Sequence, residues 1–258
     1  MDRAKQRKIR QISAGTGLGL KFISKDMFLT DTIKYMESAL DDSYVLKGGT
    51  AIARAGYLYN PRFSEDIDLD HYGEKDEKTT AKKLYDTLKQ LDNYTIKKPR
   101  FQGASIRCDA YFENHFGEKD KLRIETTSLK DSPPNEEYAP RTLLQSPFTL
   151  GKASLLKTYS KEMLFIQKIG ALSGRMDGKD VFDLVGMWRS GISMEELRIL
   201  LEDRDCIIDD ALINLNRMKS DINVIGNATD HFIPRKSRPN WKIMVADLET
   251  ILKEIRVR

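Results

Sequence analysis

The clearest alternation of apolar and charged positions lies in residues 64–72, SEDIDLDHY, where Ile67 and Leu69 alternate with Asp66, Asp68 and Asp70. A period of two is that of a half-buried strand. Upstream, Tyr44 to Leu46 reads as a short strand, and Thr50 as the cap of a helix through AIARAGYLY that Asn60-Pro61 ends. Residues 5–40 read as mainly helical, broken at SAGTGLGL. That break lacks the Lys-Ser/Thr ending of a phosphate loop and follows no strand, so it reads as a connector between helices. Downstream, a helix is predicted over 77–91, then strands at YTIKKPRF, ASIRCDAYF and DKLRIETTSL, the last two joined as a hairpin through ENHFGEKD. Pro133, Pro134 and Pro140 mark an extended loop, and SLLKTY adds a short strand.

After Ser160 the period becomes helical. SKEMLFIQKIGALSGR is a capped amphipathic helix, and KDVFDLVGMWRS, SMEELRILLED, DDALINLNRMKSDI and WKIMVADLETILKEI continue the pattern. The prediction is an α+β fold: residues 1–157 form an α/β lobe, with a mixed sheet and flanking helices, and residues 158–258 form a helical lobe. No internal repeat is found, and the sizes suit two lobes sharing one cleft.

Composition changes this picture little. With 258 residues, 40% hydrophobic and 32% charged, the chain can bury a core and reads as globular. The net charge is only +4, but its distribution is uneven: residues 1–10 carry five Lys or Arg against one Asp, and residues 233–258 carry seven against three acidic. Such ends suit nucleic acid or are simply solvated. Cys108 and Cys206 are too few for a disulfide framework or a zinc site. The start has no apolar h-region and no run could span a bilayer, so a cytoplasmic protein without membrane contact is expected.

The candidate chemistry lies in YVLKGGTAIARAGYLYNPRFSEDIDLD, residues 44–70. A Gly-Gly turn feeding a helix permits close backbone approach and leaves N–H groups for a phosphate. Asp66 and Asp68, two apart on a strand, point the same way and can share hard cations such as Mg²⁺. Paired ions of that kind activate an attacking oxygen and stabilise a leaving pyrophosphate. A Gly-Gly or an Asp-x-Asp alone is weak evidence, the second being common on solvated edge strands. Their order and separation point to nucleotidyl transfer.

The stretch KGGTAIARAGYLYNPRFSEDIDL resembles the DNA polymerase β-like nucleotidyltransferase superfamily, and its wording is closest to the AbiEii/AbiGii (MenT-like) toxins of type IV toxin–antitoxin and abortive-infection systems. A second block, SKEMLFIQKIGALSGRMDGKDVFDL, is similar to that group's helical motif. The resemblance implies that Gly48, Gly49 and Thr50, with Lys47 and Ser64, bind the nucleotide, and that Asp66 and Asp68 hold Mg²⁺. It further implies that Lys168 contacts the triphosphate and that Asp183, with Asp180 one turn before it, completes the cleft. Leu164, Lys168, Ala171 and Arg175 fall on one helical face, which can aim Lys168 and Arg175 at the nucleotide. The plainer reading pairs Lys168 with Asp183 on the surface.

A third carboxylate on a neighbouring strand is common in the superfamily. Glu125 is chosen as the third metal-binding carboxylate, since Leu122 and Ile124 then face the core and Glu125 faces Asp68's side; Asp109 is the rival. Arg62 and Ser64 fix the turn or touch phosphate. His71 reads as a polar surface residue, and Trp188 and Trp241 as core. The basic IPRKSRPNWK suits RNA phosphates and base stacking, or is an ordinary loop. Together the resemblance implies a Mg²⁺-dependent enzyme that transfers NMP from an NTP to RNA, at the 3′ acceptor end of tRNA, and so blocks translation. Its partner would be a cognate antitoxin that need not bind it directly. The alternatives are a small-molecule (antibiotic-type) nucleotidyltransferase and a catalytically idle nucleotide- or RNA-binding module.

Overall fold

In the computed structural model, which describes residues 2–74, 76–149, 151–202 and 204–256, two helices precede the sheet. Met1 and Arg258, counted in the basic ends, lie outside these residues. Asp2 caps α1 (Arg3–Thr16) by accepting from the N–H groups of Ala4 and Lys5, and the Gly-rich break connects it to α2 (Leu20–Ala39). Strand β1 (Tyr44–Lys47) leads directly into α3 (Gly48–Arg54), and β2 (Asp66–Tyr72) follows. Then come α4 (Glu77–Leu88), the short β3 (Thr95–Ile96) and β4 (Arg100–Gln102), the hairpin β5 (Ser105–Glu113) and β6 (Lys119–Leu129), and the small pair β7 (Arg141–Leu144) and β8 (Ser154–Lys157).

The main sheet has the order β1-β2-β6-β5-β3, with β4 also on β5. It is mixed: β2 and β6 are parallel, the other pairs antiparallel. Ile67, Leu69, Leu122, Ile124, Ile106 and Cys108 are buried on one face. The opposite face carries Asp66 and Asp68.

The helical part begins where Ser160 caps α5 (Lys161–Gly174) by accepting from the Met163 N–H. It continues through α6 (Gly178–Arg189), α7 (Met194–Leu200), α8 (Asp205–Met218), α9 (Ile222–Asp230), a 3₁₀ turn (Arg235–Ser237) and α10 (Trp241–Arg256). Phe165, Ile169, Leu172, Leu184, Val185, Leu248 and Leu252 fill its core. The chain divides into two compact units, Met1–Gly56 with Phe63–Tyr159, and Tyr57–Arg62 with Ser160–Arg258. None of the described helices is long and apolar enough to cross a membrane.

Several expectations change at this level. Thr50 does not cap α3, which starts at Gly48; its hydroxyl instead donates to the Asp66 carbonyl. The helix ends at Arg54 rather than at Asn60-Pro61, because residues 57–62 join the helical unit. His71 is buried rather than on the surface. Its ring lies 4.2 Å from that of Tyr44, its Nδ1 is 3.0 Å from the Thr80 hydroxyl, and burial pushes its pKa down. Trp188 and Trp241 are half-buried. The stretch read as one helix through Ile222 breaks, and α9 follows as a separate helix.

One buried charge pair ties α3 to α2. Arg54 donates to Asp26 Oδ1 at 2.6 Å and to Thr30 at 3.0 Å, while Thr149 donates to Asp26 Oδ2 at 2.6 Å and Ser146 donates to the same oxygen. Removing one member strands the other without water. Asp26→Ala is therefore expected to destabilise the protein by about 3–5 kcal/mol in urea denaturation. A loss under about 1 kcal/mol would show that the pair does not anchor α3.

Candidate active site

Gly48 opens the site because its backbone sits at φ +74°, a left-handed conformation that glycine adopts without strain, and because a Cβ there would overlap the Asp68 carboxylate. The turn thus brings backbone and carboxylate together as no other residue could. Behind it, the buried Thr50 hydroxyl lies 3.1 Å from the Ser64 hydroxyl as well as on the Asp66 carbonyl. Thr50 and Ser64 therefore brace the start of β2.

Register then assembles a face of alternating charge. Lys47 stands opposite Asp68, Asp68 opposite Glu125, and Glu125 opposite Arg107. The next rung sets Asp66 beside Arg123 and Arg123 beside Asp109. Arg123 Nη1 is 3.3 Å from Asp66 Oδ2, and its Nε is 3.8 Å from Glu125. Arg107 reaches to 4.0 Å from Glu125. Asp70, the third alternating aspartate, is buried and accepts from Lys47 and, at 2.6 Å, from the Tyr159 hydroxyl. Lys47 also donates to Thr127 at 3.1 Å. The Tyr159 hydroxyl is pushed up, first by burial and then by the Asp70 charge.

Both candidates for a third carboxylate lie on this face, in different surroundings. Asp109 is buried among Arg100, Arg107 at 3.1 Å and Lys121 at 3.5 Å. Burial would raise its pKa, but the arginines and the lysine outweigh this and hold it low. Glu125 is half-exposed next to Asp68. Among the described residues, no three of His, Cys, Asp or Glu form a metal cage. Asp66 and Asp68 offer hard oxygens on one face. Mg²⁺ needs no closed cage, since it keeps waters and takes one or two carboxylates plus substrate phosphates. The donor set fits that ion.

The second block builds a different cluster, within the helical unit. Arg62 donates from Nε to Asp183 Oδ1 at 2.7 Å and from Nη2 to Oδ2 at 2.6 Å. Lys168 Nζ lies 2.7 Å from Asp180 and 2.9 Å from Asp183, and Arg175 donates to both oxygens of Asp180 at 2.8 and 3.0 Å. Burial alone would lower the Arg62 and Lys168 pKa values; the facing Asp183 reverses this and raises both. Lys168 and Asp183 do pair, but in the interior rather than on the surface. Arg175, with 58% of its side chain exposed, is the cation of the cluster that reaches solvent. Arg62 is the member that the sequence pattern left without a partner. Only its position just before the aspartates hinted at a role.

The segment that ends in Arg62 is docked on α6. Tyr59 N–H donates to the Gly186 carbonyl at 3.2 Å, and the Ser190 hydroxyl donates to the Tyr57 carbonyl at 2.7 Å. A Cβ at Gly186 would meet Leu58 at 2.9 Å, so the small residue admits the segment.

A family model described as nucleotidyl transferase AbiEii toxin, type IV TA system, matches residues 33–254. Among solved structures, the chain is similar to a Helicobacter pylori protein described as a nucleotidyltransferase, with TM-score 0.59 and 18% identity over 93% of this chain and 96% of that one. It is also similar to MenT4, a nucleotidyltransferase toxin of Mycobacterium tuberculosis, with TM-score 0.58 and 14% identity over 95% and 89%. At these identities the structures speak to the fold alone. Comparison with curated protein sequences gives no match.

Asp180 supplies a pH test of the buried cluster. Burial would raise its pKa, but Lys168 and Arg175 lower it from 3.8 to about 2. Between those values the unfolded chain binds more protons, so stability rises with pH. The shift contributes about 2 kcal/mol that is fully present above pH 4 and lost as pH falls through 2. Urea titrations from pH 2 to 5 should therefore show a shallower acid limb for Asp180→Asn than for the parent. Identical slopes would remove Asp180 from the acid response.

Proposed function

Because the chain belongs to the nucleotidyl transferase AbiEii toxin family of type IV toxin–antitoxin systems, we propose that it transfers NMP from an NTP to RNA, at the 3′ acceptor end of tRNA, in the cytoplasm. The observation that carries the chemistry is Asp66 and Asp68 side by side on β2, with Gly48 at φ +74° against Asp68. In this reading the acceptor hydroxyl oxygen attacks the α-phosphorus, the bond to the bridging oxygen breaks, and pyrophosphate leaves. Asp66 and Asp68 hold Mg²⁺, which when bound neutralises phosphate charge and makes the hydroxyl more acidic.

The remaining roles follow from the surroundings of each side chain. Gly48 and Gly49 admit the triphosphate close to the backbone. Thr50 and Ser64 keep β2 aligned, and Lys47 balances the carboxylate face through Asp70. Glu125, half-exposed beside Asp68, receives the hydroxyl proton; the cations around Asp109 suit it to a structural role. Arg175, exposed to solvent, is the cation of the second block that we assign to nucleotide binding. The Lys168 ammonium is held by Asp180 and Asp183, so these three position Arg175 and Arg62. A cognate antitoxin opposes the activity and need not bind the protein.

Incubation with each labelled NTP, Mg²⁺ and total RNA tests the reading. Label should enter RNA from the preferred NTP and should stop with a chelator. Asp66→Asn and Asp68→Asn should each lower transfer by at least about 100-fold, a ligand mattering no less than the groups that orient ligands. Their metal-free melting temperatures should stay close to the parent's, because both carboxylates are half-exposed and a pair such as Asp66–Arg123 contributes little there. Full activity in either variant, or label on a small cationic acceptor in place of RNA, would overturn the proposal.

A further inference from the structure

The helical unit carries a cavity whose lining residues are distinct from the Arg62–Asp183 cluster. It has a volume of about 240 Å³ and lies between the docked segment 57–62, α6, the 3₁₀ turn and the start of α10. Phe182 and Met244, both buried, form its floor. Its rim is Arg189, Lys236 and Arg238, together with Tyr59, which is 66% exposed. Among the described residues, no carboxylate lines it. One of the rim cations, Arg189, donates to Asp247 at 2.6 Å.

We infer that this cavity binds one nucleotide unit of a single-stranded stretch of the RNA acceptor, with its two flanking phosphates on Lys236 and Arg238, one on each, and its base on Tyr59. This rests on the RNA-acceptor reading above. Charge alone would suit any polyanion, but a tyrosine face left open among cations is the arrangement on which an unstacked base packs. Duplex RNA offers no such base. The volume lies below the roughly 300–1,000 Å³ of pockets for drug-sized ligands, so it suits a single unit of a polymer rather than an entire small substrate.

The geometry is also held in place. The turn that carries Lys236 runs between Pro234 and Pro239, each of which restricts its own backbone. Arg238 Nε donates to the Ile233 carbonyl at 3.4 Å, leaving its terminal nitrogens for a phosphate. Tyr59 is fixed at its backbone by the Gly186 carbonyl. In sequence its segment continues through Arg62 to the Asp66 strand. An RNA held at Tyr59 is therefore held by the same stretch of chain that leads into the proposed metal-binding carboxylates.

Fluorescence anisotropy with a labelled single-stranded RNA, at several salt concentrations, tests the assignment. K236Q/R238Q should flatten the log–log salt slope by about 1.4, two single-strand phosphate contacts. Tyr59→Ala should weaken RNA binding by about 5- to 150-fold with little change in slope, and Tyr59→Phe should restore it. Heparin, which has no bases, should bind Tyr59→Ala as it binds the parent. Equal losses for heparin and RNA would overturn the stacking role, and an unchanged slope and affinity in K236Q/R238Q would overturn the cavity. If K236Q/R238Q does not fold, K236Q alone carries the same test with half the change in slope. A parent that transfers NMP to RNA while these variants bind RNA normally removes only this inference. A parent that neither binds nor labels RNA removes both.

Discussion

Arg62 and Asp183 are 121 residues apart in sequence and meet as a bidentate pair in the interior. A guanidinium at that depth is tolerable only with a carboxylate facing it, because an unpaired buried charge costs several kcal/mol. The pair therefore fixes where the chain can go. Arg62 stands four residues before Asp66, so the segment leading to the carboxylate strand starts from a point fixed on the helical unit. Lys168, Asp180 and Arg175 complete the cluster, and its exposed member is Arg175.

A comparable balance operates on the sheet. Asp66, Asp68 and Glu125 would repel one another if the face held only carboxylates. Arg123 and Arg107 stand among them, and Lys47 takes Asp70. The three alternating aspartates consequently divide by role. Asp70 is buried with a cation and a tyrosine, whereas Asp66 and Asp68 remain half-exposed next to a glycine turn. Intermediate exposure suits groups that must meet both a cation and a substrate. Burial suits the one that holds the strand in place.

The two proposed surfaces use opposite electrostatics. Around Gly48 the chain gathers carboxylates, which in the proposed reaction would take divalent charge. Around Tyr59 it gathers cations over an apolar floor, which can take an RNA phosphate directly. With a net charge of only +4, the distribution of charge rather than its total distinguishes these surfaces.

Local periodicity was enough to identify β2, the β5–β6 hairpin, the capped α5 and the order of sheet before helices, because a period of two or of 3.6 belongs to each segment by itself. The order of Gly48-Gly49 before Asp66 and Asp68 was legible in the local pattern, whereas Lys168, Asp180 and Asp183 stood out only through the resemblance to a known family. Other features depended on residues distant in the chain. Thr50 looks like a cap until the Asp66 carbonyl lies over it, and His71 looks solvated until Tyr44 and Thr80 enclose it. Glu125 and Asp109 follow the same alternation, and only strand order sets one beside Asp68 and the other among three cations. Arg62 shows the limit most plainly: side-chain periodicity says which way a residue faces, whereas the identity of a buried charge's partner is decided by which segments the packed core brings into contact.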